Sequence, residues 1–138
     1  MAEVKLRVEE RRAAVDVLTT WLPRIALAIV FLFFGALKFA THSVYVRIFD
    51  GIGLGQWFRY FTGVIEVGAA VLLLIPRAAA VGFFLLGCTM AGAVSFWMLN
   101  HNPFAALVPG VLLVAIIGFG GAEVARFVGD MRRGAASR

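Results

Sequence analysis

Long apolar stretches separated by short polar ones run through most of this chain. Four of them approach the roughly 20 residues an α-helix needs to cross a hydrocarbon core: residues 23–40, 56–75, 78–99 and 103–122. The first is the shortest in apolar content, because Arg24 and Lys38 bracket it, and snorkelling of both side chains would lengthen it. Punctuation agrees with this division. Pro23 suits the first turn of a helix, and Asn102-Pro103 reads as an N-cap followed by proline at the first helical position. Pro76-Arg77 predicts a tight antiparallel turn between the second and third spans. Gly51, Gly53 and Gly55 predict an irregular link between the first two, and Pro109-Gly110 a kink in the fourth.

The ends read differently. From Val4 to Leu18 charged and apolar residues alternate, with Val4, Val8, Val15 and Leu18 close to one helical face. That pattern predicts an amphipathic helix on a membrane surface, with a solvated arm as the alternative. Met131 to Arg138 is basic and rich in small residues, which predicts a frayed tail. The expected organisation is therefore an amphipathic segment over 1–20, a transmembrane domain over 21–128 and a basic tail over 129–138. The fold class is all-α: an integral membrane four-helix up-down bundle with an N-terminal amphipathic interfacial helix.

Composition strengthens the membrane reading. Hydrophobic residues make up 62% of the chain and charged residues 15%, against roughly 45–50% and about 25% in soluble globular proteins. Such a chain has too little polar surface to cover its apolar surface, so lipid must do it. The net charge of +5 sits at the ends and loops. It fits an anionic membrane surface rather than nucleic acid. The first twenty residues are charged and lack the apolar core of a cleavable signal peptide. Cys88 stands alone, so the chain by itself forms no disulfide, CxxC pair or thiolate metal cluster.

Charge asymmetry predicts orientation. Four spans place the N-terminus, the Pro76 turn and the C-terminus on one side. That side holds Lys5, Arg7, Arg11, Arg12, Arg24, Arg77, Arg126, Arg132, Arg133 and Arg138, ten in all, against Lys38, Arg47 and Arg59 on the other. The excess of Lys and Arg on cytoplasmic loops then predicts both termini in the cytoplasm.

Glu66 carries the most chemical information. It falls mid-span, where an ionised side chain costs about 2.5–3.5 kcal/mol on insertion scales. Arg59, Thr62, Gly63, Glu66, Ala69 and Ala70 form a polar and small-residue stripe at helical spacing, suited to the inside of a bundle. The first span presents a matching stripe of Arg24, Ala28, Phe31, Gly35, Lys38 and His42. In antiparallel helices Lys38 lies about 8–10 Å nearer the outer surface than Glu66, a gap a lysine can span. Lys38, Arg59 and Glu66 are thus expected to form one buried charge network, supported by Arg24, Gly35, Thr62 and Gly63. It reads either as an ion pair that locks helix register or as a wall facing a ligand, with proton conduction a third role. Cys88 is expected to be a small buried hydrophobe. His42 and His101 fall at outer helix ends, where an interfacial role outweighs a bis-histidine haem, and no metal site is expected. Trp21, Trp57 and Trp97 sit where interface anchors do.

Read in order, these elements resemble the DoxX-like family of four-helix bacterial membrane proteins. Phe34-Gly35-Ala36-Leu37-Lys38-Phe39 closes the first span, Trp57-Phe58-Arg59-Tyr60 follows a glycine-containing outer segment, and Thr62-Gly63-Val64-Ile65-Glu66-Val67 leads into Leu72-Leu73-Leu74-Ile75-Pro76-Arg77. The G-x-x-K-F and T-G-x-x-E elements are the specific part, and the likeness covers about residues 21–122. It implies a multi-pass protein of the bacterial inner membrane. The family takes its name from the membrane subunit of a thiosulfate:quinone oxidoreductase, which implies a link to membrane redox complexes. Many relatives carry a histidine near the outer part of the third helix, where this chain has Ser95-Phe96, so chemistry resting on that histidine is not expected here.

The resulting expectation is the integral subunit of a redox-linked complex that anchors a membrane or membrane-associated partner and lines a quinone or small-ligand site. The alternative is a stand-alone structural or stress-related membrane protein without a substrate. A homo-oligomer fits either, nucleic acid neither, and the sequence does not by itself mark an enzyme.

Overall fold

The computed structural model describes residues 1–41 and 44–136, and these form helices with no strand among them. The helices are α1 (Ala2–Leu37), α2 (Val44–Ile52), α3 (Gln56–Leu73), α4 (Ala79–Leu99) and α5 (Pro103–Ala136). Three stretches are long and apolar enough to cross a membrane: Glu3–Leu37 within α1, α4, and Pro103–Gly129 within α5. The fourth expected span, α3, is not among them. It is 18 residues long and carries Gln56, Arg59 and Glu66.

The four long helices pack in series, α1 on α3, α3 on α4 and α4 on α5, while α2 lies against α3. Leu27, Ala28 and Phe31 of α1 meet Ala69, Ala70 and Leu73 of α3, and Ala79, Phe83, Leu86 and Met90 of α4 extend this core to Ile116 of α5. Large apolar side chains cover the outside, among them Ile29, Phe33, Val64, Phe84, Val111 and Val114, while Arg24, Lys38, Arg59 and Glu66 are buried. Charge inside and hydrocarbon outside is the distribution of a protein solvated by lipid.

Several expectations are corrected. The link after the first span is irregular only in part: residues 44–52, Gly51 included, are helical, and the break falls at Gly53 to Gly55, where Gly53 and Gly55 take positive φ. Tyr45, Ile48, Phe49 and Ile52 recur at i, i+3, i+4 and i+7, and this apolar face is the partly or fully buried side of α2. The N-terminal amphipathic segment is helical but is no separate element, because α1 runs through Pro23 without interruption. Proline withdraws one backbone donor there, yet the residues before it are mostly strong helix formers. Glu3 to Thr19 are all exposed, to water or to lipid. The basic tail is not frayed over its length either, since α5 continues to Ala136. The Pro76 turn is tight as expected, with the Ala78 amide donating to the Ile75 carbonyl at 2.9 Å. Asn102 caps α5, its Oδ1 accepting from the Ala105 amide at 3.2 Å.

Candidate functional site

The buried face of α1 runs Arg24, Leu27, Ala28, Phe31, Gly35 and Lys38, and that of α3 runs Arg59, Gly63, Glu66, Ala69, Ala70 and Leu73. Glycines set how closely these faces meet. A Cβ on Gly35 would lie 2.8 Å from Val67 Cγ2 and 3.3 Å from both the Gly63 carbonyl oxygen and the Val67 nitrogen. One on Gly63 would lie 3.0 Å from Phe39 Cε2 and 3.2 Å from Lys38 Cβ. With both positions reduced to hydrogen, the α1 backbone settles onto α3 one turn from Lys38. The ammonium of Lys38 then donates to Glu66 Oε2 in an ion pair whose two side chains are 9% and 1% exposed.

Arg59 is placed otherwise than expected. It makes no bond to Glu66. Its guanidinium donates from Nη1 to the carbonyls of Lys38 and Ala40, the second at 3.0 Å, from Nε to Gln56 Oε1 at 2.6 Å, and from Nη2 to Tyr60 Oη at 2.9 Å. The physical reason lies at the end of α1. The last helical carbonyls, those of Gly35, Ala36 and Leu37, accept from the turn amides of Lys38, Phe39 and Ala40, and the Lys38 and Ala40 carbonyls just beyond them, at the negative end of the helix dipole, find their donors in Arg59. Its cationic centre also rests 4.4 Å from the Tyr60 ring centroid. Thr62, the neighbouring supporting residue, spends its hydroxyl on the Arg59 carbonyl at 3.0 Å.

Arg24 belongs to a different place. Fourteen residues separate it from Lys38, about 21 Å along a helix, and it pairs with Glu123 of α5. Arg126 reinforces that junction by donating to Thr20 Oγ1 at 2.6 Å. Sequence reasoning passed over Glu123, whose signal was an acidic residue at the end of an otherwise apolar span.

Beside the Lys38–Glu66 pair the helices line a partly open cavity of about 620 Å³. Its polar wall is Lys38, Tyr45, Thr62, Glu66 and Thr89; Phe31, Phe34, Phe49, Phe58, Phe96 and Trp97 supply much of the rest. Tyr45 and Phe49 come from α2, the helix that sequence reasoning read as loop. The Lys38 ammonium stands 5.3 Å from the Tyr45 ring centroid, and burial, followed by the nearby Glu66 carboxylate, pushes the Tyr45 phenol above its ordinary pKa. A groove between Phe34 of α1 and Leu107, Val108, Val111 and Leu112 of α5 adjoins the cavity, sharing Phe34, Val108 and Leu112 with it. Cys88 is not the buried hydrophobe expected. It is exposed and lies on the cavity wall. His101 is exposed in the turn before α5 with φ of 53°, and His42 lies outside the described residues. No group of three or more His, Cys, Asp or Glu residues gathers as a metal site among the described residues.

Chemically, this is an apolar and aromatic chamber with an ammonium, a carboxylate and a phenol on its wall. It suits a ligand with a hydrogen-bonding head and a hydrophobic body. No curated protein and no solved structure matches the chain. The model of the DoxX-like family matches residues 22–119, a range that contains both the Lys38–Glu66 pair and all the residues of the cavity wall. The chain therefore belongs to the DoxX-like family.

Proposed function

We propose that this protein is the four-span integral subunit of a redox-linked complex in a bacterial inner membrane, binding a quinone in the cavity beside Lys38 and Glu66. The observation that carries the reading is an ionisable pair on the wall of a cavity of about 620 Å³ that is otherwise mostly apolar. A pair serving helix register alone has no need of vacant space beside it. Quinone carbonyls accept hydrogen bonds, which the Lys38 ammonium and Tyr45 hydroxyl can donate. The aromatic walls suit the ring, and the groove between α1 and α5 suits an isoprenoid tail.

The four-span topology rests on α3 being about 27 Å long at 1.5 Å per residue, with both of its charged side chains buried. In this arrangement α2 lies at the outer surface and both termini are cytoplasmic. The orientation is supported by the Lys and Arg distribution. Two of the three outer cations, Lys38 and Arg59, are themselves buried. The exposed helical stretches, Glu3 to Thr19 of α1 and Val124 to Val128 with Arg132 and Arg133 of α5, are surfaces on the cytoplasmic side for a redox partner.

The test is binding of a decyl-substituted benzoquinone to the purified protein in lipid nanodiscs. Saturable binding near one per chain is expected, weakened about tenfold or more by Lys38→Ala or Glu66→Gln, the usual cost of losing a hydrogen bond to a charged group. Gentle solubilisation should also recover a redox partner. Absence of saturable binding by the wild type, or binding indifferent to both substitutions, would return the ion pair to a purely structural role.

A further inference from the structure

We propose that α2 is a lid over the cavity and that Gln56 is its latch. The proposal rests on the reading that the cavity receives a ligand, and it concerns how that ligand gains access. Three observations carry it. First, α2 puts its apolar face into the cavity: Tyr45, Ile48, Phe49 and Ile52 all line it, while Arg47 and Asp50 point away and are exposed. Second, the described polar attachments of α2 to the bundle converge on one side chain. Gln56 Nε2 donates to the Val46 carbonyl at 3.0 Å and to Asp50 Oδ1 at 2.5 Å, while Gln56 Oε1 accepts from Arg59 Nε at 2.6 Å. Third, the short link from α2 to α3 contains Gly53 at φ 78° and Gly55 at φ 80°, left-handed values that glycine adopts without strain. It is built as a hinge.

A nine-residue helix is marginal on its own, so α2 stays formed and docked through its apolar face and this latch. Releasing Gln56 frees two bonds at once. It also withdraws Tyr45 from Lys38, because Tyr45 rides on α2 whereas Lys38 is held by Arg59 at the end of α1. Opening the lid thus exposes the polar wall of the cavity to water and removes one of its hydrogen-bond donors in a single movement.

The experiment needs no ligand, so its failure is separate from failure of the quinone reading. Cys88 is the chain's one cysteine, sits on the cavity wall, and lies about 14–16 Å from either end of α4. Cys88 is exposed on the bare helices, but in a nanodisc lipid covers the helix faces, so a membrane-impermeant maleimide reaches it from water only through the end of the cavity that α2 covers. Slow labelling is expected for the wild type and labelling about tenfold faster or more for Gln56→Ala. Backbone hydrogen exchange should rise over residues 45–52 and stay unchanged over 63–73. Gln56→Glu keeps the acceptor for Arg59 but sets a carboxylate against Asp50, and it should open the lid as far. Adding Asp50→Asn to Gln56→Glu supplies a donor from the other side and should restore slow labelling. Should Gln56→Ala fail to accumulate, this reciprocal pair decides. Rapid labelling of the wild type, labelling unaffected by either Gln56 substitution, no rescue by Asp50→Asn, or exchange rising equally through α3 and α4 would each overturn the lid.

Discussion

Two ion pairs, one buried and one partly so, use the same face of α1 in different ways. At one end Arg24 pairs with Glu123 of α5; at the other Lys38 pairs with Glu66 of α3. The helices pack in the order α1, α3, α4, α5, so Arg24–Glu123, with Arg126–Thr20 beside it, ties together the first and last members of that series. Its carboxylate is 16% exposed. Lys38–Glu66 joins helices already in close packing, its carboxylate is 1% exposed, and it borders the cavity. The first pair closes a bundle. The second forms the charged part of a chamber, and the difference lies in the vacant space rather than in the charges.

The largest effect should come from breaking the second pair. Glu66→Ala leaves the Lys38 ammonium buried without its counter-ion, and a broken buried pair costs about 3–5 kcal/mol. Glu66→Gln retains an acceptor and should cost less. Thermal melting in detergent reads both, and equal stability of wild type and Glu66→Ala would mean that Lys38 finds solvent instead.

Glu123→Ala tests the other half of the contrast. Arg24 is buried and its Nε already lacks a partner, but the Glu123 side chain reaches solvent. About 1.5–3 kcal/mol is expected, the range for hydrogen bonds to charged groups. Decylbenzoquinone binding should not change. If Glu123→Ala weakened binding as much as Glu66→Gln, the two ends would be coupled and the division of roles would fail.

How much of this was legible beforehand depends on the residue. The stripes on α1 and α3 were readable because helical spacing puts Gly35, Lys38, Gly63 and Glu66 on facing sides, and the Lys38–Glu66 contact follows from rise per residue. Arg59 was not, because its partners are main-chain carbonyls at the end of α1, and a sequence does not display where another helix stops. Glycine-rich composition hid α2, although its i, i+3, i+4, i+7 stripe was present in plain view. Arg24 shares the Lys38 face, and periodicity alone could not say that nearly four turns, with Leu27, Ala28 and Phe31 packed between, separate two different sites.

Gly35→Ala sharpens the comparison from the packing side. The added methyl meets Val67 and backbone within 3.3 Å, so α1 must move off α3, at about 1–3 kcal/mol for overpacking. Because Lys38 lies one turn away, quinone binding should fall as well, while the Arg24 end stays intact. Gly68→Ala is the control: its Cβ would meet nothing within 4 Å, and a helical Gly→Ala change should stabilise by about 0.5–1 kcal/mol. Loss of stability at both positions would point to a general intolerance of methyl groups rather than to a crossing at Gly35.

The smallest effect is expected at Cys88. Its side chain is exposed on the cavity wall and has no second cysteine for exchange. Cys88→Ser should therefore shift stability by no more than about 0.5 kcal/mol, as exposed substitutions generally do. Redox function of a complex containing it should persist, since a single thiol lacks a resolving partner. The same position becomes informative when it is filled instead of emptied. A bulky maleimide fixed at Cys88 occupies chamber volume while leaving both members of the Lys38–Glu66 pair in the chain, so decylbenzoquinone binding should fall while the melting temperature stays near that of the unmodified protein. That separation of binding from stability is what distinguishes a chamber from a seam. If modification lowered melting as strongly as Glu66→Ala does, the space beside Lys38–Glu66 would be packing that the bundle cannot do without. Unchanged binding would place the quinone elsewhere.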